Sequence, residues 1–137
     1  MADLKTLNLW IAIASFLGAF AVILGAFGAH YLKALLSSES LASYHTAVQY
    51  LFIHSILMLL VSVLFSLTKN KELILVLKTL FIGIICFSGS IFLLSTRDLT
   101  GFSLTQIIGP ITPIGGILLI FSWLYLAYLG VQGKILK

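Results

Sequence analysis

Long uncharged stretches dominate the chain, and each of them ends at a charged residue. Four stretches stand out: 27 residues between Lys5 and Lys33, 29 between Glu39 and Lys69, 18 between Lys78 and Arg97, and 35 between Asp98 and Lys134. Crossing a hydrocarbon core of about 30 Å takes roughly 20 apolar residues in a helix. The pattern therefore predicts an all-α integral membrane four-helix bundle, a single domain over residues 1–137 with helices over 7–29, 46–68, 74–95 and 109–131.

The third and the first helix each allow a second interpretation. The third either begins near Leu73, with the Lys78 ammonium reaching back to the headgroups, or is short and nearly upright. The first ends in Ala26-Phe27-Gly28, which resembles a small-x-small signal-peptide cleavage site. Its apolar run is about twenty residues, longer than the 7 to 15 of a signal core. We therefore expect this segment to be retained as a membrane helix.

Composition excludes several classes of protein. The chain has 61% hydrophobic residues, 9% charged residues and a mean hydropathy of +1.18. A soluble domain carries about 25% charged residues, so this chain has too few polar residues to cover the surface of one. The single cysteine, Cys86, excludes an internal disulfide and the paired-cysteine chemistry of membrane thiol oxidoreductases. The net charge of +4 is too small and too dispersed for a nucleic-acid surface.

The positive charges indicate an orientation. Short loops make neighbouring helices antiparallel, so the N-terminus, the second loop and the C-terminus share one side of the membrane. That side carries Lys5, Lys69, Lys71, Lys78, Lys134 and Lys137, and the opposite side carries Lys33 and Arg97. Six against two predicts that both termini are cytoplasmic, in a bacterial inner membrane.

Polar residues mark two helix starts on the outer side. Ser37-Ser38-Glu39-Ser40 offers hydroxyl and carboxylate caps for the second helix. In the fourth, Thr112 is expected to act as the cap and Pro113 to take the first helical position, where its missing N–H costs nothing.

Small residues predict where the helices pack, because association in lipid depends on close backbone approach. The first helix carries a stripe at spacings of four, three, four and three: Ala14, Gly18, Ala21, Gly25 and Gly28. Smaller patches occur in the third and fourth helices: Gly83, Gly89 and Ser90, then Gly115 and Gly116. We interpret these positions as packing seams, and the alternative is a substrate path.

Catalytic motifs are missing from the sequence. No Asp or Glu lies inside a predicted span, which argues against the carboxylate-driven exchange of a small multidrug pump. Neither Gly-x-Ser-x-Gly nor His-Glu-x-x-His occurs. Phe87-Ser88-Gly89-Ser90 suggests a serine nucleophile, but no histidine shares its helix and packing is the simpler interpretation. We predict no enzymatic activity, no cofactor and no metal site.

Histidines are the remaining candidates for chemistry. His54 lies near mid-membrane, and His45 precedes it by nine residues, which turn a helix through about 900° and place the rings on opposite faces. Tyr50 stands one turn from His54 and Gln49 one turn from His45. Gln49, Tyr50 and His54 form a candidate intramembrane polar site. His54 either bonds a neighbouring helix as a neutral ring or acts as a proton relay, metal ligand or haem ligand.

A second histidine pair is predicted on the outer face. His30 ends the first helix, and the loop to the second helix is short. His30 is therefore able to approach His45, and the pair is a candidate site for binding a transition metal. Histidines at a membrane interface are common, and ordinary interface residues are the simpler interpretation.

Taken together, four motifs resemble a known family. In chain order they are Gly25-Ala26-Phe27-Gly28-Ala29-His30, then Thr46-Ala47-Val48-Gln49-Tyr50 with His54, then Phe87-Ser88-Gly89-Ser90, then Thr112-Pro113-Ile114-Gly115-Gly116 with Trp123. This set is similar to the YgdD/YwdK family of small bacterial inner-membrane proteins. The resemblance implies four membrane helices and a relationship to small mitochondrial or eukaryotic membrane proteins. It implies no activity, and Ser122 departs from the expected glycine.

The sequence favours a non-enzymatic structural or accessory subunit, acting as a homo-oligomer or in a larger membrane complex, with the lipid bilayer as its surroundings and no nucleic-acid partner. Two alternatives remain open at this point. One is a minimal transporter or channel for a small solute or cation, with His54 and Gln49 in the path. The other is a haem or metal carrier.

Overall fold

Four long helices make up most of the computed structural model, which describes residues 2–135. They are α1 (Ala2–His30), α2 (Ser38–Thr68), α3 (Glu72–Ser95) and α4 (Ile111–Val131). A 3-10 turn, Leu32–Ala34, follows α1, and the short helices Arg97–Thr100 and Thr105–Ile108 connect α3 to α4. The described part of the chain contains no strand, and all four long helices are long and apolar enough to cross a membrane. The predicted all-α membrane fold is confirmed.

Helix α2 begins at Ser38 rather than at residue 46. Ser37 has extended backbone angles (φ −60°, ψ 156°), and its hydroxyl accepts a hydrogen bond of 3.2 Å from the Ser40 N–H. The first two turns are polar, so the hydropathy of the sequence does not reveal them, although the serine cap sets the true start.

The start of α4 differs from the prediction. The helix begins at Ile111, and Pro110 occupies the cap position without a side-chain cap bond. The Thr112 hydroxyl does not cap the helix: it lies 2.6 Å from the Ser90 hydroxyl of α3. Pro113 still falls in the first turn, where an N–H would have no helical acceptor.

A short turn joins α2 to α3. Lys69 ends α2 in the left-handed region (φ 56°), and its N–H donates to the Phe65 carbonyl at 2.9 Å. The Asn70 side-chain oxygen then accepts from the Glu72 N–H at 2.9 Å. This tight reversal makes α2 and α3 antiparallel neighbours.

The helices pack in chain order. Helix α1 lies against α2, α2 against α3, and α3 against α4, whereas α1 and α4 flank the bundle without packing along each other. The core lies mainly between α2 and α3, where Met58, Val61, Leu77 and Leu80 are fully buried. Within α3, residues Ile85–Gly89 form a π-helical segment, which widens the helix where it faces α4.

Candidate functional site

His54 is buried on the inner side of α2 and bonded at both ring nitrogens. Its Nδ1 lies 2.7 Å from the Tyr50 carbonyl oxygen, and Trp123 of α4 donates its indole N–H to His54 Nε2 at 3.2 Å. Because a carbonyl oxygen only accepts, Nδ1 must carry the hydrogen and Nε2 the lone pair. This arrangement fixes one neutral tautomer and occupies the nitrogen that a metal or haem would need.

Aromatic rings surround His54. The Tyr50 ring stacks beside the imidazole at 5.6 Å and lies 4.5 Å from the Phe87 ring, while Trp123 meets the imidazole edge-on at 6.4 Å, all between ring centroids. A cavity of about 390 Å³ opens among these rings. It is lined by Tyr50, His54, Phe87, Gly116, Leu119, Ile120 and Trp123. We call it the aromatic cavity.

Gln49 does not join this cavity. It is exposed and lines a separate groove on the α1 side of α2, together with His45 and Gly25. The structure therefore brings Tyr50 and His54 together but leaves Gln49 on the other polar face of the helix, next to His45.

The outer histidines are both exposed. The His45 ring packs edge-on against Tyr44 and lies near Gly28, and no hydrogen bond joins it to His30. Over residues 2–135, no group of three or more His, Cys, Asp or Glu side chains is placed to hold a metal ion.

The small-residue stripe of α1 faces α2. A Cβ built at Gly18 would lie 3.2 Å from the Ser55 hydroxyl, one at Gly25 would lie 3.3 Å from Val48, and one at Gly28 would lie 2.6 Å from the Tyr44 ring. Ala14 and Ala21 are buried on the same face. These contacts support the interpretation of the stripe as a helix seam.

The two glycines at the start of α4 have different surroundings. A Cβ at Gly115 would overlap the backbone of Phe87, at 2.8 Å from its Cα, so this position permits α4 to touch the π-helical segment. A Cβ at Gly116 would make ordinary contact with the Phe87 ring at 3.6 Å. A Cβ built at Gly89 would meet nothing within 4 Å, and Gly89 borders an apolar cavity between α1 and α3.

Hydroxyl pairs between helices were not predicted from the sequence. Thr79 of α3 lies 2.7 Å from Ser122 of α4, and Ser90 of α3 lies 2.6 Å from Thr112 of α4, in each case between hydroxyl oxygens. Both pairs bind α4 to α3. Ser122, where the resemblance leads one to expect glycine, is thus a bonded residue of the interface.

Ser88 is buried at the π-helical segment, and its hydroxyl has no hydrogen-bond partner among the described residues. A serine nucleophile needs a base within hydrogen-bond reach. The arrangement at Ser88 therefore gives no support to the nucleophile interpretation of Phe87-Ser88-Gly89-Ser90.

Four apolar helices, joined across their interfaces by polar side chains, define a multi-pass α-helical membrane protein. The chain belongs to the family described as "Protein of unknown function (DUF423)", whose model matches residues 24–116. No solved structure matches the chain.

Similar proteins extend over nearly the whole chain. The UPF0382 membrane protein of Haemophilus influenzae is 36% identical over 127 residues, which cover 93% of this chain and 97% of the relative. The UPF0382 membrane protein YwdK of Bacillus subtilis is 32% identical over 127 residues, covering 92% and 98%. The UPF0382 membrane protein C1782.12c of Schizosaccharomyces pombe is 37% identical over 112 residues, covering 81% and 92%.

These relatives confirm the resemblance to the YwdK family, and one of them comes from a eukaryote. The protein is a multi-pass membrane protein embedded in a lipid bilayer, and its family is described as one of unknown function. Its apolar helices and its bacterial relatives, which are named as membrane proteins, assign it to the cytoplasmic (inner) membrane.

Proposed function

We propose that the protein is a non-enzymatic accessory subunit that works in an assembly of membrane proteins. The observation that carries this proposal is that intramembrane polar side chains pair with one another between the helices of this chain. Thr79 pairs with Ser122, Ser90 with Thr112, and His54 with Trp123, each across a helix interface.

Transport and catalysis need polar groups that are free to change partners. A pump needs a group that alternately holds a proton and a cargo, and a hydrolase needs a nucleophile beside a base. The polar groups of these three pairs are held by one another, and they join α4 to α3 and α2. This favours a structural role for them.

The flanking helices offer the surfaces for association. Their most apolar stretches are 22% buried, against 44% in α2 and 39% in α3, so α1 and α4 each keep a wide apolar face for lipid or for another protein. We propose that such a face contacts a second copy or a larger complex, and that residues 1–137 act as one domain.

Orientation forms part of the proposal. The Asn70 side-chain amide donates to the Lys134 carbonyl at 2.8 Å, so the turn after α2 and the segment after α4 lie at the same end of the bundle. This end includes Lys69 and Lys71, which supports cytoplasmic termini by the positive-inside rule.

Crosslinking in native membranes tests the assembly. We expect a discrete crosslinked species that survives purification in mild detergent, either a multiple of the chain or a heteromeric complex. A protein that stays monomeric in native membranes at every crosslinker concentration would overturn the proposal.

Flux and absorption tests address the rival functions. Proteoliposomes containing the protein are expected to release neither protons nor small cations above the rate of empty vesicles, and the purified protein is expected to have no haem absorption band. Saturable flux, or a bound chromophore in stoichiometric amount, would favour the transporter or carrier instead.

A further inference from the structure

The aromatic cavity has the dimensions of a small-molecule site. Its volume of about 390 Å³ falls within the range of about 300 to 1,000 Å³ typical of ligand pockets. It is bordered by α2, α3 and α4. Gly116 forms part of its wall without being needed for packing, because a Cβ there would make only ordinary contact with the Phe87 ring.

The lining selects an uncharged ligand. Among the described residues, no Asp, Glu, Lys or Arg borders the cavity, and both nitrogens of His54 are already bonded, one to the Tyr50 carbonyl and one to the Trp123 indole. A charged ligand would lose its hydration without gaining a counter-charge.

One polar group at the cavity is left for a ligand. The Tyr50 hydroxyl makes no hydrogen bond to any described residue, although the Tyr50 ring is held between His54 and Phe87. The hydroxyl can therefore donate to an acceptor that enters the cavity.

Tyr50 lies one helical turn before His54, toward the polar first turns of α2, and it is 39% exposed. The phenol is therefore accessible to a ligand that enters the cavity.

Ring geometry selects a flat ligand. Phe87, Tyr50 and Trp123 present aromatic surfaces around one space, and such surfaces favour offset-stacked or edge-on contacts with another ring. A flexible acyl chain would fill the space without using this geometry or the phenol donor.

We propose that the aromatic cavity binds the ring of an uncharged, lipid-soluble carbonyl compound of the quinone class, whose carbonyl oxygen accepts the hydrogen bond of Tyr50. The ring lies against Phe87 and Trp123, and any apolar tail leaves through the open side of the cavity into lipid. The binding requires no covalent or redox step, and it does not depend on the proposed role in an assembly.

Tryptophan fluorescence provides the test. The chain has two tryptophans: Trp123 borders the cavity, and Trp10 packs edge-on against Phe81 elsewhere. A Trp10→Phe protein in phosphatidylcholine vesicles therefore reports on the cavity alone. Titration with 2-methyl-1,4-naphthoquinone is expected to give saturable quenching, whereas a Trp123→Phe protein, which keeps Trp10, is expected to show only the linear collisional component.

Variants test the hydrogen bond of Tyr50 and the place where the quinone binds. In the Trp10→Phe protein, Tyr50→Phe is expected to weaken binding about 3- to 10-fold, the effect of one hydrogen bond, while Tyr128→Phe at the far end of α4 has no effect. Gly116→Leu is expected to remove the saturable component, and Gly89→Leu, which fills the separate cavity between α1 and α3, to retain it.

A competitor decides between a carbonyl site and a merely apolar crevice. 2-Methylnaphthalene has the same ring system without carbonyl oxygens, and we expect it to displace the quinone at least 3-fold less well. This comparison uses the Trp10→Phe protein without any change in the cavity, so it holds even if a cavity variant fails to fold. Equal displacement by the hydrocarbon, or purely linear quenching at Trp123, would overturn the proposal.

Discussion

The Tyr125 hydroxyl donates a hydrogen bond of 2.8 Å to the Glu72 carboxylate, and thereby connects the C-terminal half of α4 to the first residue of α3. The other carboxylate oxygen of Glu72 lies 3.8 Å from the Lys134 ammonium. With the Asn70 bond to the Lys134 carbonyl, these contacts close the end of the bundle where α3 begins.

Removal of either partner of this bond should loosen that end. Tyr125→Phe and Glu72→Ala are each expected to lower the thermal unfolding midpoint in detergent, and the double variant should lose less than the sum, because both changes delete one shared bond. Tyr128→Phe, whose ring lies instead near the Lys134 ammonium, is the control. Strict additivity of the two changes would contradict a direct contact.

The bond between His54 and Trp123 should contribute to stability. Trp123→Phe leaves the His54 Nε2 lone pair without its donor, and we expect a loss of about 1 kcal/mol in the free energy of unfolding. The same substitution in a His54→Leu protein should cost less, since no acceptor remains. His54→Gln keeps a polar amide at this position, and we expect that variant to fold and accumulate normally; its failure to fold would point to a more exacting role for the imidazole.

Neighbouring glycines in α4 should respond differently to the same change. Gly115→Ala places a methyl group against the backbone of Phe87, which cannot move aside as a side chain can, and we expect a loss of about 2 kcal/mol. Gly116→Ala is expected to cost little, because its methyl group makes ordinary contacts. Chemical denaturation of both variants in the same detergent checks this, and equal losses would show that α4 does not approach α3 so closely.

Two substitutions in α1, one on the face that contacts α2 and one beside it, form a matched pair of variants. Gly25→Leu forces a bulky group into the face where a Cβ already comes within 3.3 Å of Val48, whereas Leu24→Ala removes volume from a half-buried neighbour. We expect Gly25→Leu to impair assembly far more than Leu24→Ala. Extraction yield and melting point measure the effect, and identical behaviour of the two proteins would mean that Gly25 is not at an interface.

Topology can be tested with reporter fusions. We expect reporters at residue 70 and at the C-terminus to be cytoplasmic, and reporters near residues 38 and 102 to be external, as the six-to-two distribution of basic residues predicts. An external C-terminus with all four spans intact would contradict the predicted topology.

The sequence predicts the spans well, because hydrocarbon imposes a length and a polarity that can be read directly. The small residues of α1 predict a packing face in the same way, since a glycine at position 18, 25 or 28 has few roles in lipid besides close contact. Helix starts are less accurate: Ser38 lies well before residue 46 because polar first turns outside the apolar core carry no hydropathy signal.

Partners of polar side chains are the part that sequence could not provide. The spacing of Tyr50 and His54 places both on similar faces of α2, but it does not say that Trp123, 69 residues away, supplies the donor. The pairing of Ser122 with Thr79 likewise depends on how two helices align along their axes. That alignment is set by contacts between helices, such as Gly115 against Phe87, which no local pattern encodes.

The π-helical segment Ile85–Gly89 sets which residues in the second half of α3 face α4. Bonds that close over five residues rather than four accommodate one additional residue in the turn, and each residue advances an α-helix by about 100°. Excising a single residue from this segment would let it close as a regular α-helix and leave Ser90 facing Thr112. The same deletion in a regular part of α3 would rotate everything beyond it by that angle, so α3 should tolerate the loss of one residue best within Ile85–Gly89.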